Sequence, residues 1–428
     1  MKLNLRLTVV MLSSQLLLIQ ARAAEIKISS PTQLTASHNS LQPGDTVLLK
    51  SGKWADVDLL FSGKGTKEAP IILKAEVPGQ VVLTGKSHLR IAGEYLVVEG
   101  LHFQEPDTEV SDVIQFRGDS KTPSNHCRLT NCAMTSTGPQ NADAECRWVG
   151  LYGQGNRLDH CRFEGKTGKG TTVVVWLNAK GDGRHQLDHN YFGPREKLGK
   201  NGGETIRVGD SKTSMMKAAC VVERNIFEKC NGEAECISNK SCGNLYRENT
   251  FLEVQGTLTL RHGNGCVVEG NVFLGNNVNG TGGIRIIGED HQVRGNYLEK
   301  LGGDKARAGI CFMMGIPDSP LNRYFQVKRA RVEKNVLVDC KQSFFIGLAD
   351  DKNGILPPVG SVIRGNTIIS PKRSLFAVSC SLTGLTFENN RCFGSELGMT
   401  AQPGLVMNPE TKAAPLKGLS RAEVGPKW

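Results

Sequence analysis

Aromatic residues are scarce in this chain of 428 residues, where Phe, Trp and Tyr together make up 6%. Nucleic-acid surfaces tend to interleave basic side chains with stacking rings, and no recognised nucleic-acid module occurs, so DNA and RNA are disfavoured as partners. Past the first twenty residues no apolar run approaches bilayer length, which leaves no candidate for a membrane span. No Cys-x-x-Cys pair exists to suggest a zinc site. Acidic residues are outnumbered, 42 against 52 Lys and Arg, for a formal charge of +10. That excess of base points to a polyanionic partner, and with nucleic acid disfavoured an acidic polysaccharide is expected.

The N-terminus reads as a secretory signal. Lys2 and Arg6 supply positive charge, Leu7 to Ile19 is mostly apolar but short for a span, and Ala21-Arg22-Ala23 offers a small-residue cleavage pattern. Export to the periplasm or the medium is expected, with residues 24–428 forming one domain. Loss of Lys2, Arg6 and Arg22 takes the formal charge from +10 to +7. Thirteen cysteines in an exported chain raise the question of disulfides. Cys132 and Cys161 fall on core positions of the repeat described next, where a thiol acts as a small hydrophobe. Cys230, Cys236, Cys242 and Cys266 leave room for one or two bridges.

An internal repeat dominates the chain. His189-Asn190-Tyr191-Phe192, Arg224-Asn225-Ile226-Phe227, Glu248-Asn249-Thr250-Phe251 and Gly270-Asn271-Val272-Phe273 share one pattern, which continues at Asn296, Asn335, Asn366 and Asn390. Leu101, Cys132 and Cys161 fill the same slot earlier. The steps from Cys132 are 29, 29, 35, 24, 22, 25, 39, 31 and 24 residues, about one circuit of three short strands with loops inserted in some turns. The expected fold is all-β: a right-handed parallel β-helix in which equivalent asparagines stack into a ladder. A short capping helix is expected from Ser30-Pro31 to about Leu41, with Ser at the N-cap and Pro at the first helical position. Residues 401–428, with four prolines, read as a terminal wrap.

The densest polar constellation lies mid-chain: Asn201 to Glu204, Glu233-Ala234-Glu235, Ser238 to Ser241, and Arg261-His262-Gly263. Glu233 and Glu235 stand two apart on an expected strand, so both side chains leave one face. Two like charges that close repel unless a cation lies between them. Carboxylates with an amide oxygen suit calcium, and no His or Cys completes a transition-metal set there. The plain alternative is a solvated acidic pair. Steps of 24 residues lead from Glu233 and Glu235 to Thr257 and Thr259, and from Ile237 to Arg261 and then Arg285. Acidic and basic groups are therefore expected on neighbouring rungs of one face.

The stretch Asn201-Gly202-Gly203-Glu204-Thr205-Ile206-Arg207, the run from Glu233 to Ser241 and the pair Arg261-His262 resemble the signature of polysaccharide lyase family six, which contains alginate lyases and the dermatan-cleaving chondroitinase B. Gly44-Asp45, Phe61-Ser62-Gly63, Ala92-Gly93-Glu94-Tyr95 and Val424-Gly425-Pro426 extend the resemblance over nearly the whole mature chain. It implies that Asn201, Glu233 and Glu235 hold Ca²⁺, that Lys240 is the general base and that Arg261 is the general acid of a β-elimination at a uronate. Arg207, His262 and Arg285 are the expected substrate contacts, the two arginines as carboxylate clamps. Lysine serves as a base only in its neutral form, which neighbouring positive charge favours. Arginine is a poor acid, so electrostatic stabilisation of the leaving oxygen, with water as donor, stands beside the acid role.

Alginate is the expected substrate, with dermatan sulfate second, and a monomer the expected state. Two rivals come from other classes. A β-helix hydrolase would use a set of carboxylates as acid and base, which Lys240 and Arg261 fit poorly. A non-catalytic glycan-binding solenoid shares the fold but has no need of Asn201, Glu233, Glu235, Lys240 and Arg261 together.

Overall fold

A strand of three residues buries too little to stand alone, and this chain solves the problem by coiling. One circuit contributes the strands Leu245–Arg247, Thr250–Leu252 and Thr257–His262 to three different sheets, and the next contributes Val267–Glu269, Val272–Leu274 and Ile284–Ile286 to the same three in the same order. Among the described residues the first and second sheets hold 14 strands each and the third 12. Neighbouring strands pair in parallel. The structure, a computed structural model, describes residues 23–38, 40–107, 111–138, 143–178 and 183–428. The expected signal segment, but for Ala23, lies outside them. The fold is the parallel β-helix that the repeat predicts.

In the repeats of Asn190 to Asn366, two residues separate the first-sheet strand from the second-sheet strand, and the second of them is the ladder asparagine. The Oδ1 of Asn249 accepts from the N–H and the Nδ2 of Asn225 at 3.1 and 3.0 Å, while its own Nδ2 donates to the Val222 carbonyl one coil back. The same pattern runs from Asn190 through Asn225, Asn249, Asn271, Asn296, Asn335 and Asn366 to Asn390. Every amide is buried and every amide is satisfied, as a low-dielectric core demands. The residue before each asparagine adopts a left-handed conformation, including the non-glycines His189, Arg224, Glu248 and Lys334 with φ of 52–55°. Inside the same corner Phe163, Phe192, Phe227, Phe251 and Phe273 stack with ring centroids 4.3–5.4 Å apart.

The N-terminal end is covered. The helix Pro31–Ser37 starts where expected, with the Ser30 hydroxyl accepting from the Gln33 N–H, and buries Leu34 against the first coils. It stops at Ser37, four residues short of the expected Leu41. The C-terminal residues run back along the outside of the coils: the Leu419 N–H donates to Thr250 Oγ1, the Gly425 N–H to the His189 carbonyl and the Trp428 indole to the Asn131 carbonyl. All thirteen cysteines are free thiols, and the bridges considered for Cys230, Cys236, Cys242 and Cys266 are not formed. Most fill the interior as small hydrophobes.

Candidate active site

The tight corner that carries the asparagine ladder leaves no room for insertions, so loops accumulate at the two ends of the third-sheet strands. They wall a cavity of about 540 Å³ over the outer face of that sheet. Asn201, Arg207, Glu233, Glu235, Lys240, Arg261, His262 and Arg285 all line it. The eight residues singled out in the sequence are thus brought together, and Glu204, Tyr324 and Asp350 join them.

The carboxylates are held in different ways. Glu233 Oε2 accepts from the Gly202 and Gly203 N–H groups at 2.8 and 2.9 Å. Glu235 accepts from the Ser238 hydroxyl through Oε2 and from the Arg285 guanidinium through Oε1, and Arg261 Nε lies 3.6 Å from the same Oε1. Burial pushes the Glu235 pKa up, but Arg285, Ser238, Lys240 and Arg261 outweigh it and hold the group below its ordinary value. Glu233 has no ion pair of this kind among the described residues. Burial, then the charges of Glu204 and Glu235, push its pKa up to about 7 despite the two glycine donors. Glu204 Oε2 is buried without a hydrogen-bond partner.

Three neighbouring carboxylates with one raised and one orphaned oxygen are a donor set short of positive charge, and hard oxygen donors fit Ca²⁺. Among the described residues no three His, Cys, Asp or Glu side chains form a ready metal cage. A cation held by Glu233, Glu235 and the Asn201 amide therefore needs water or substrate oxygens to complete its shell.

On the basic side, Lys240 ends the strand Glu235–Lys240, with Nζ 3.8 Å from Glu204 Oε1. Its register partner on the next coil is His262, so Arg261 and His262 flank it. Arg261 donates to the Arg323 carbonyl at 3.0 Å and lies over the Tyr324 ring, whose hydroxyl donates to Asp350 at 2.6 Å. Burial, then Arg261 and Lys240, push the His262 pKa down to about 3, so this ring is neutral. Its Nε2 lies 3.4 Å from the Ser211 hydroxyl, and its Nδ1 has no partner. Arg207 projects from the preceding coil over the Trp176 ring.

Two buried groups support this arrangement from beneath: Asn239, inside the run Glu233 to Ser241 but given no role there, and Arg195, outside every motif. Asn239 points into the core below Lys240, donating to the Ser241 and His262 carbonyls and accepting from Asn244 and Tyr246. It ties the end of the Lys240 strand to the backbone of His262. Arg195 is 3% exposed, and its guanidinium gathers the carbonyls of Gly168, Gly170 and Glu204 at 2.8–3.1 Å. That fixes the loop that presents the Gly202 and Gly203 donors to Glu233. Burial lowers the Arg195 pKa to about 10, so the group remains charged at neutral pH.

The register differs from a constant step of 24. Glu235 pairs with Thr257 and Ser238 with Thr259, and Thr259 pairs in turn with Arg285. One circuit is 21–22 residues and the next is 26, with irregularities after Glu235 and after Asn239. Arg285 therefore stands in the row of Arg207, Ser238 and Thr259, not above Arg261. Glu233 lies in the turn before the strand, so it reaches the cavity by the course of that turn and not by strand alternation.

A family model for chondroitinase B matches residues 28–419. The structure of AlyGC, an alginate lyase of polysaccharide lyase family 6, superposes with a TM-score of 0.90 at 37% identity, over 94% of this chain and 58% of its own. This chain thus spans well under two thirds of that enzyme. A mannuronic acid specific family 6 lyase from human gut microbiota gives a TM-score of 0.83 at 31% identity, covering 95% of this chain and 96% of its own. The family 6 lyase Pedsa3628 from Pseudopedobacter saltans gives 0.79 at 27% identity, covering 94% and 99%. No curated protein sequence matches the chain.

Proposed function

This chain belongs to polysaccharide lyase family six, the family of chondroitinase B, and from that premise we propose that it depolymerises alginate by β-elimination. The observation that carries the reading is Lys240 beside Arg261 and His262 at the end of paired third-sheet strands, facing a cavity that also holds the buried carboxylates. Alginate is preferred because AlyGC is named an alginate lyase and the gut enzyme is named mannuronic acid specific. An exported location rests on residues 1–23 of the sequence alone.

In this reading a uronate carboxylate lies near Asn201, Glu233 and Glu235, the residues that would hold Ca²⁺. When bound, Ca²⁺ supplies Lewis-acid neutralisation of the substrate carboxylate, which makes the C5 proton easier to remove. Neutral Lys240 takes that proton on Nζ. The C5–H electrons form the C4–C5 double bond as the C4–O4 bond breaks. The guanidinium of Arg261 faces the negative charge that develops on O4, and the proton that O4 gains comes from Arg261 or from water. His262, neutral and buried, braces the Lys240–Arg261 corner without carrying charge. Arg207, which has no carboxylate partner among the described residues, is free to clamp a substrate carboxylate.

Mass spectrometry of the products tests the reaction class. Elimination gives new non-reducing ends lighter by one water than hydrolysis would, together with an absorbing conjugated double bond. Saturated ends would assign the protein to the hydrolases. Cleavage of dermatan sulfate in preference to alginate would keep the lyase and change the substrate.

A further inference from the structure

Next to the catalytic cavity, on the N-terminal coils of the same sheet, lies a second cavity of about 860 Å³. Its lining includes Arg117, Lys121, Arg147, Tyr152 and Trp176. These side chains leave the ends of successive third-sheet strands: Arg117 follows Asp112–Gln115, Tyr152 follows Arg147–Leu151, and Trp176 follows Val173–Val175. The next strand, Ile206–Val208, carries Arg207. The four form one continuous stack. The Arg117 guanidinium lies 3.8 Å from the Tyr152 ring centroid, Tyr152 and Trp176 stand 6.4 Å apart and 19° from parallel, and Arg207 lies 5.0 Å from the Trp176 ring.

The platform is built and not incidental. Asp112, fully buried, accepts from Arg147 Nε at 2.5 Å and from the Tyr152 hydroxyl at 2.8 Å, which fixes both side chains. Gly150 makes space for them, since a Cβ there would sit 3.0 Å from the Tyr152 ring and 3.1 Å from Asp112. The hairpin that walls the cavity also brings one exposed carboxylate to its lining, Asp119, which accepts from the Lys121 and Thr122 N–H groups. Arg117 and Arg207, at the two ends of the stack, have no carboxylate partner among the described residues. On the opposite side of the catalytic centre, Tyr324 and Phe325 pack over Ile287, Cys311 and Met313 and cover the outer face of the sheet. Among the described residues the outer face of the sheet is thus covered toward the C-terminal coils, and the stack lies on the other side of the catalytic centre.

We propose that the Arg117–Tyr152–Trp176–Arg207 stack is a binding platform for the uncleaved arm of the polyuronate chain, which runs from the catalytic centre along the coils toward the N-terminus. This rests on the lyase reading above. Rungs of a sheet are spaced about 4.8 Å apart, comparable to the length of one pyranoside unit, so a chain laid along the coils meets one new rung with each sugar. The rings offer flat apolar faces to the sugars, and the guanidiniums at each end, of which Arg117 donates only to the neutral Gln115 amide at 3.0 Å, match carboxylates borne on separate units. Neutral glucans and xylans fit the rings but offer neither guanidinium a carboxylate.

The test is kcat/KM on a size series of alginate oligosaccharides up to polymer, for the wild type and Arg117→Ala. Loss of one charge-assisted contact lowers kcat/KM about tenfold on chains long enough to reach the platform, and changes it less than about twofold on the shortest substrate cleaved. An equal loss at every length, or none at any length, overturns the platform. Calorimetric titration of polymeric alginate into wild type and Arg117→Ala separates this failure from failure of the lyase reading. If the wild type cleaves no uronate polymer, weaker binding by Arg117→Ala still supports the platform, and equal binding overturns it.

Discussion

Arg285 closes the Glu235 carboxylate from two coils away, across the rung that holds Thr259. The pair is almost wholly buried, with Arg285 6% and Glu235 8% exposed. Removing one partner from a buried pair leaves an uncompensated charge, at a cost of about 3–5 kcal/mol. Arg285→Met is expected to destabilise the protein by that amount in urea unfolding. Arg285→Met combined with Glu235→Gln is expected to recover most of the loss, because neither charge then remains. A double variant no more stable than the single would show that the cost lies in packing.

Lys240 contributes little to the fold: among the described residues its one ion pair is the 3.8 Å contact with Glu204. Lys240→Ala is therefore expected to keep the wild-type melting temperature while lowering kcat by about 10²–10⁴, the usual contribution of a general base. Calorimetry and initial rates on the same preparation check both halves.

The ladder makes each asparagine answerable for its neighbours. Asn249→Ala strips the acceptor from the Asn225 N–H and Nδ2 and the donor from the Val222 carbonyl. Each orphaned buried group costs about 1–3 kcal/mol, so a loss of several kcal/mol is expected in denaturant unfolding. A loss below about 1 kcal/mol would mean that water or a backbone shift replaces the side chain.

Acid sensitivity is expected from two histidines far from the chemistry. His185 and His291 are fully buried, and burial lowers their pKa values to about 3 and about 4. His291 Nδ1 accepts from the Cys266 N–H and its Nε2 donates to the Ile287 carbonyl, a pattern that only the neutral ring can make. The unfolded chain takes up these protons near pH 6.5 while the folded one does not. Stability is thus full above that pH and falls as pH drops toward 4. His291→Gln is expected to flatten part of this slope in melting temperatures recorded from pH 7 to pH 4; an unchanged slope would remove His291 as a cause.

Much of this was legible in the residues. Asparagines that recur before an alternating apolar run can satisfy one another only if coils stack, so the fold followed from the spacing. Asn201, Glu233, Glu235, Lys240 and Arg261 could be singled out because their motifs are local, and the fold brings them to one cavity. What depended on register was not legible. A single irregularity shifts every later residue by one position along its strand, and the unequal circuits on either side of the strand Thr257–His262 carried Arg285 away from Arg261. Arg195 and the Tyr152–Trp176 stack belong to no motif, and Asn239 stood inside a quoted run without a role, because their roles arise from distant backbone carbonyls and from successive coils. Glu204 lay inside the quoted signature, and only its orphaned oxygen set it apart.

The central claim, a cation-assisted elimination on alginate, is tested most directly by near-ultraviolet absorbance of purified protein acting on alginate, before and after chelation and after Ca²⁺ is restored. The account predicts a steady rise as conjugated uronate ends form, loss of that rise with chelator, and its return with Ca²⁺. A rise that chelator leaves untouched would contradict the role given to Asn201, Glu233 and Glu235. No rise from folded protein supplied with Ca²⁺ would contradict the elimination itself.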